Sequence, residues 1–376
     1  MPLADVRLRP EEIEAATAAY RSGWLSMGPR TEQLERAFES YTGAEHAIAA
    51  ANGTAALHLI CAAAGLGPGD EVVVPSMTFV ATVNAIAYTG ARPVFADIAG
   101  LTQPWLSADA ADAAITPRTK AIMSMAYGGH PGQVEDLRTL ADERGIALLE
   151  DVAHAAGSRL HGRHLGTFGA AGAFSFFSNK NIGIGEGGMV VAGDGDLADR
   201  MRLLRSHGMT TLTWDRHRGH ASGYDVVALG FNYRIDEPRA ALITERLKRL
   251  DEENRARAAM DERYRRAIAE LPGIDAALEP VAGAELAHHL FCIVLDEGID
   301  REALRTSMAE RGVQTSVHYP AVHRFSIYAG GAWDLPLTDA YGSRAVTLPM
   351  FAHMTESQQD LVLESLADAV RGRRAA

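Results

Sequence analysis

Between about residues 45 and 192 the chain alternates short apolar runs with helix-length stretches, and no other feature limits its possible folds so tightly. The runs are His46–Ala50, Glu71–Pro75, Arg92–Asp97, Ala121–Tyr127, Ala147–Asp151, Ala173–Phe177 and Met189–Ala192. Several lack a polar alternate face, as strands covered on both sides do. Stretches with helical spacing separate them: Thr54–Gly65, Thr78–Gly90 and Gln133–Arg144. This predicts a doubly wound α/β layout. Such sheets bind ligands at the carboxyl ends of their strands. Ser76, Asp151 and the Ser175–Lys180 segment all fall at or just past such ends.

Beyond this region, residues 196–208 and 236–270 read as charged helices. The polar stretch Thr210–Asn232 between them is too long for an ordinary turn. After about residue 275 the pattern becomes α+β: a strand at Leu290–Leu295, a helix at Arg301–Arg311, a strand at Gln314–His318 and a terminal helix at Glu356–Arg371. We therefore expect a large domain over residues 1–245, with an N-terminal helical segment, and a small α+β domain over 246–376. A length of 376 residues suffices for both cores.

A formal net charge of −12 argues against nucleic acid or an anionic membrane as the main partner, while leaving a locally basic site open. The two cysteines, Cys61 and Cys292, lie in apolar runs and read as core thiols, with neither disulfide nor metal spacing. His217 and His220 lack the accompanying ligands of a zinc site, so no metal is expected. The N-terminal residues do not read as a signal peptide, and no apolar run reaches membrane-spanning length. The expectation is a cytoplasmic protein.

Lys180 follows an apolar run and precedes a glycine-rich turn, Gly183-Ile184-Gly185-Glu186-Gly187-Gly188. A lysine in a dry pocket gives up its proton more readily, and its neutral amine can condense with an aldehyde. The glycine string formally matches a dinucleotide fingerprint, but it leads into a strand-like run instead of opening a helix, which removes that reading. Asn52-Gly53-Thr54 opens an alanine-rich helix and offers either a phosphate site or an ordinary cap. Asp151 ends an apolar strand, where a carboxylate needs a partner such as a pyridinium N–H, a salt bridge or a helix end. Phe79, just past a strand end, is either a core ring or one that stacks on a planar cofactor.

Taken in order, Gly53-Thr54-Ala55-Ala56-Leu57, Pro75-Ser76-Met77-Thr78-Phe79, Glu150-Asp151-x-Ala153-His154-Ala155, Ser175-Phe176-x-x-x-Lys180-Asn181, Gly230-Phe231-Asn232-Tyr233-Arg234 and His318-Tyr319-Pro320 resemble the DegT/StrS-type nucleotide-sugar aminotransferases across nearly the whole chain. The resemblance implies a three-layer, fold-type I transferase dependent on pyridoxal 5'-phosphate, with a mixed, mostly parallel sheet. Lys180 matches the lysine that forms the Schiff base, and Asp151 the carboxylate on the pyridine nitrogen. Gly53, Thr54 and Ser175 match phosphate-binding positions, Phe79 the stacking ring, and His154 a polar position near the ring hydroxyl. Asn232 matches a residue that reaches the phosphate from the other subunit of a homodimer, so 210–232 would be a crossing arm. Phe177 stands where many relatives have histidine.

The reaction this implies moves the amino group of L-glutamate to a keto-deoxysugar on a nucleotide diphosphate. Arg216, Arg218 and His220 are candidates for the diphosphate, and His318, Tyr319 and His323 for the sugar. Two other reactions fit the resemblance: amination of a free keto-cyclitol, and dehydration of a deoxysugar.

Overall fold

The computed structural model describes residues 1–211, 214, 217, 219 and 223–371. Two helices, α1 (Pro10–Arg21) and α2 (Pro29–Thr42), precede the sheet. The α/β region then runs β1 (His46–Ala50), α3 (Gly53–Ala63), β2 (Glu71–Pro75), α4 (Val80–Tyr88), β3 (Arg92–Ala96), α5 (Ala108–Ala114), β4 (Thr119–Met125), α6 (Val134–Arg144) and β5 (Ala147–Asp151). Two short strands, β6 (Arg159–Leu160) and β7 (Arg163–His164), lead to β8 (Ala171–Ser175), β9 (Gly188–Ala192) and α7 (Gly195–Arg205).

The main sheet has seven strands in the order β1-β9-β8-β5-β4-β2-β3. Pairing is parallel from β3 through β8, whereas β9 is antiparallel to both β8 and β1. Hence β1 points the same way as the parallel strands, and β9 alone is reversed. Both faces are buried. Ala47, Ala49 and Val73 pack on one side with Leu34 and Phe38 of α2 and Leu137 of α6. Ile48, Val72 and Val74 pack on the other with α3, α4 and α7. Residues alternate in direction along a strand, so one run of valines and alanines feeds two cores. That is why these runs show no polar face, and why the architecture has three layers.

Further on lie α8 (Glu237–Leu247), α9 (Leu250–Ile268), β10 (Ile274–Ala276), β11 (Ala284–Glu285), β12 (Phe291–Leu295), α10 (Arg301–Glu310), α11 (Pro336–Arg344), β13 (Ala345–Leu348) and α12 (Glu356–Arg371). Antiparallel β10-β12-β13 carries its own core, in which Phe291, Leu304 and Leu366 pack together. The run Gln314–His318 is not a strand. Only Ser316 pairs, with Thr347, and the chain then leaves the sheet. The Gln314 N–H instead bonds the carbonyl of Met1. No helix among the described residues is long and apolar enough to cross a membrane.

Candidate active site

Because β1, β2, β4, β5 and β8 run the same way, their carboxyl ends share one edge of the sheet. A cavity of about 590 Å³ lies there, lined by Gly53, Thr54, Phe79, Asp151, His154, Ser175, Lys180, His318 and Tyr319 among others. Lys180 does not end a strand as its flanking sequence suggests. β8 stops at Ser175, and the lysine stands in the loop back to β9. Its own N–H closes a turn on the Phe177 carbonyl (2.8 Å), and the Phe176 N–H ties to the Gly187 carbonyl (2.8 Å). A Cβ at Gly183 would stand 2.3 Å from the Ser178 carbonyl oxygen, so this tight return needs glycine.

Burial lowers the Lys180 pKa to about 8 from 10.5, while the charge of Asp151 acts the other way. Asp151, 2% exposed, accepts a hydrogen bond at Oδ2 from the Thr82 hydroxyl (2.6 Å) and at Oδ1 from the Ala153 N–H (3.0 Å). The Thr78 and Thr82 hydroxyls lie 2.7 Å apart, so Thr78 donates to Thr82, whose own proton goes to the carboxylate. Among the described residues no cation pairs directly with Asp151, and burial raises its pKa. A buried carboxylate with hydrogen bonds but no cation suits a ligand that brings a positive N–H.

Another part of the cavity edge offers backbone donors of the kind that suit an anion. The Asn52 side chain caps α3 by accepting from the Ala55 N–H (2.8 Å). The first N–H groups of a helix, here those of Gly53 and Thr54, have no intrahelical acceptor. A Cβ on Gly53 would lie 2.8 Å from Ser175 Cβ, so the helix end is pressed against Ser175, whose hydroxyl lies beside it. The amine, the anion cradle and the uncompensated carboxylate are the three anchors pyridoxal phosphate requires, and the exposed Phe79 ring stands at the rim. Gly53→Ala is expected to cost about 1–3 kcal/mol by overpacking. Cofactor retention would be about 10- to 100-fold weaker, measured by absorbance titration of the stripped protein. Gly67→Ala, where a Cβ meets nothing within 4 Å, is the control.

His154, expected beside the ring hydroxyl, lines the cavity. Its Nδ1 accepts from the Gly128 N–H (3.2 Å), which puts its proton on Nε2, 2.9 Å from the Tyr319 hydroxyl. His154 therefore donates to Tyr319, and the phenol proton is free to point into the cavity. His318 also lines the cavity, with Nδ1 2.9 Å from the Thr347 hydroxyl. Burial pushes His154 well below its ordinary pKa and His318 down to about 4, with the Lys180 charge adding to both. His323 is not brought to the cavity. Its Nδ1 lies 2.7 Å from the Ser76 hydroxyl and its Nε2 3.2 Å from Asp339, so it ties its loop to the end of β2. Asn232 is exposed and does not line this chain's cavity. Arg216, Arg218 and His220 lie outside the described residues. Sequence reasoning gave no role to Thr82 or Met125. The spacing of Thr78 and Thr82, one helical turn apart, was the available signal for the first.

Comparison with solved structures agrees with this geometry. DesV of S. venezuelae is 35% identical, with 96% of this chain and 94% of that one covered and a TM-score of 0.88. The sugar aminotransferase CalS13 of Micromonospora echinospora is 29% identical, covering 98% and 99%, with a TM-score of 0.89. Spr1654 of Streptococcus pneumoniae, solved in a PMP form, is 25% identical, covering 99% of each chain, with a TM-score of 0.92. A single family pattern matches residues 6–367, nearly the whole chain. The chain belongs to the DegT/DnrJ/EryC1/StrS aminotransferase family and is a sugar aminotransferase.

Proposed function

We propose that the protein transfers the amino group of L-glutamate to a keto-deoxysugar carried on a nucleotide diphosphate, working as a homodimer with shared active sites. The observation that carries the aminotransferase reading is Lys180 and Asp151 lining one cavity without an ion pair between them. The cavity volume of about 590 Å³ and its open side favour an acceptor that extends beyond the protein wall.

Pyridoxal phosphate, when bound, supplies an aldehyde for amine exchange and a ring that withdraws electrons from the adjoining carbon. The chain's own residues do the rest. Gly53, Thr54 and Ser175 hold the phosphate. Asp151, fixed by Thr82 and Ala153, keeps the ring nitrogen protonated. Lys180 Nζ, neutral above about pH 8, takes the proton from the donor's α-carbon and later returns one to the acceptor carbon. Tyr319, oriented by His154, presents its hydroxyl proton to an oxygen in the cavity.

The dimer reading draws on the segment that leads up to Asn232. Tyr224, Val226, Val227 and Leu229 are all exposed, Leu229 by 92%. They lead directly to Phe231 and Tyr233, which stack at 5.0 Å, and Tyr233 lines the cavity. An apolar row at a cavity mouth fits a subunit interface, and an exposed Asn232 fits a residue that serves the neighbouring site.

Adding glutamate to the cofactor-loaded protein is expected to bleach the visible absorbance and yield one equivalent of 2-oxoglutarate. A nucleotide-linked keto-sugar should restore the absorbance, and a free keto-cyclitol should not. Restoration by the cyclitol alone, or loss of sugar oxygen without glutamate consumption, would overturn the substrate assignment.

A further inference from the structure

Lys180 lines a second space besides the cofactor cavity. This rear chamber, of about 20 Å³, is shared with Asp5, Arg246, Glu253, Arg257 and His289 among others. A space of this size takes about one water-sized occupant. Its character is set by a shortage of negative charge.

Three guanidiniums, those of Arg246, Arg249 and Arg257, gather where α8 passes into α9. Among the described residues, the only carboxylates within ion-pair reach of them are Glu12 and Glu253. Arg249 has the closest hold on both. Its Nε donates to Glu12 Oε1 at 2.5 Å, and its Nη1 donates to Glu253. Buried Arg246 is left with the same two acids at 3.5 and 3.7 Å, and its Nε–H has no acceptor among the described residues. Arg257, 8% exposed, has neither. Its side chain makes one long hydrogen bond, from Nη1 to Asn254 Oδ1 at 3.4 Å, and that oxygen already accepts from Asn181 Nδ2 at 2.8 Å. The Asn181 carbonyl in turn accepts from Arg246 Nη2 at 3.4 Å. Both under-compensated arginines are therefore tied to Asn181, which lines the same chamber.

The acids on the chamber wall are already engaged. Glu253 is held by Arg249, and Asp5 lies 2.8 Å from His353 and 3.7 Å from Arg7. Burial lowers the Arg257 pKa to about 10. Glu253 opposes this from longer range, while the charges of Arg246 and Arg249 add to it. A water would satisfy spare N–H groups but leave the charge. A buried cation without counter-charge is the costlier defect.

We propose that the rear chamber binds one small monovalent inorganic anion, of the size and charge of chloride, against Arg257 and Arg246, as a counter-charge behind Lys180. A halide is only slightly larger than water, whereas a phosphate or a metabolite carboxylate exceeds the space. With a negative charge beside it, the lysine keeps its proton to higher pH. The site is separate from the phosphate cradle at Gly53 and Thr54, which lines only the cofactor cavity.

Bromide is the probe. Crystals of the cofactor-loaded protein soaked in bromide should show an anomalous-scattering peak in the chamber beside Arg257. In solution, replacing gluconate by bromide at constant ionic strength should raise the wild-type Tm by about 2 °C at a tenfold excess over Kd. Arg257→Met should show no such rise. The midpoint of cofactor capture by stripped protein should also move to higher pH in bromide. A chamber without the peak, an equal rise in Arg257→Met, or an unmoved midpoint would overturn the proposal. The crystal experiment needs no variant and no turnover, so it stands whichever amino donor and acceptor the enzyme uses.

Discussion

Lys180→Ala is expected to abolish amino transfer, with kcat lowered by about 10⁴-fold, the upper range for one positioned proton-transferring side chain. The size reflects the lack of any substitute. Among the described residues, every other basic side chain lining the cavity is a histidine, and burial pushes His154 well below its ordinary pKa and His318 down to about 4. The variant should still bind pyridoxal phosphate through Gly53, Thr54, Ser175 and Asp151, but as the free aldehyde, with the absorbance of the unreacted compound. The wild-type lysine carries a pH signature as well. Burial favours the neutral amine, so the rate of cofactor capture by stripped protein should rise with pH to a midpoint near 8 and level off, where an ordinary lysine would still be climbing toward 10.5. A Lys180→Ala protein that retained the shifted absorbance of the loaded enzyme would refute the assignment, as would a capture profile without a plateau.

Much of this site is legible in the chain because strand ends are legible. Continuous apolar runs mark strands buried on both faces, and the residues just past each parallel run are placed at a shared edge. That reasoning finds Asp151, Gly53 and Ser175 from local pattern alone. It shifts where a loop intervenes. Lys180 lies five residues past the last paired residue of β8, because the chain must still form the turn closed by Lys180 N–H on Phe177 before it can reverse into β9. It fails where a strand-like pattern serves another purpose. Gln314–His318 reads as a strand, yet the chain leaves the sheet after Ser316, and His318 and Tyr319 line the cavity. His323, matched by resemblance to the sugar border together with His318 and Tyr319, instead bonds Ser76 and Asp339 and does not line the cavity among the described residues.

Asp151→Asn separates the two halves of the catalytic arrangement. The fold should tolerate it. An asparagine oxygen can still accept from the Ala153 N–H, and the Thr82 hydroxyl can turn to accept from the new amide while donating to Thr78. What is lost is the negative charge that holds a protonated ring nitrogen. Removing one partner of a buried charge pair costs about 3–5 kcal/mol, so kcat/KM should fall by about 10²- to 10⁴-fold. The sign of the accompanying pH shift is diagnostic. Asp151 is the group whose charge holds the Lys180 pKa up against burial, so without it the lysine should lose its proton below pH 8, more easily than in the wild type. The acid limb of the activity profile would therefore move to lower pH even as the plateau drops. If the loss came from a damaged lysine, the limb would move the other way or vanish. A variant with both wild-type turnover and an unshifted acid limb would show that Asp151 neither holds the ring nitrogen nor reaches Lys180. Asp151→Glu, with the charge kept but set one methylene further along, should regain the wild-type acid limb without regaining the rate.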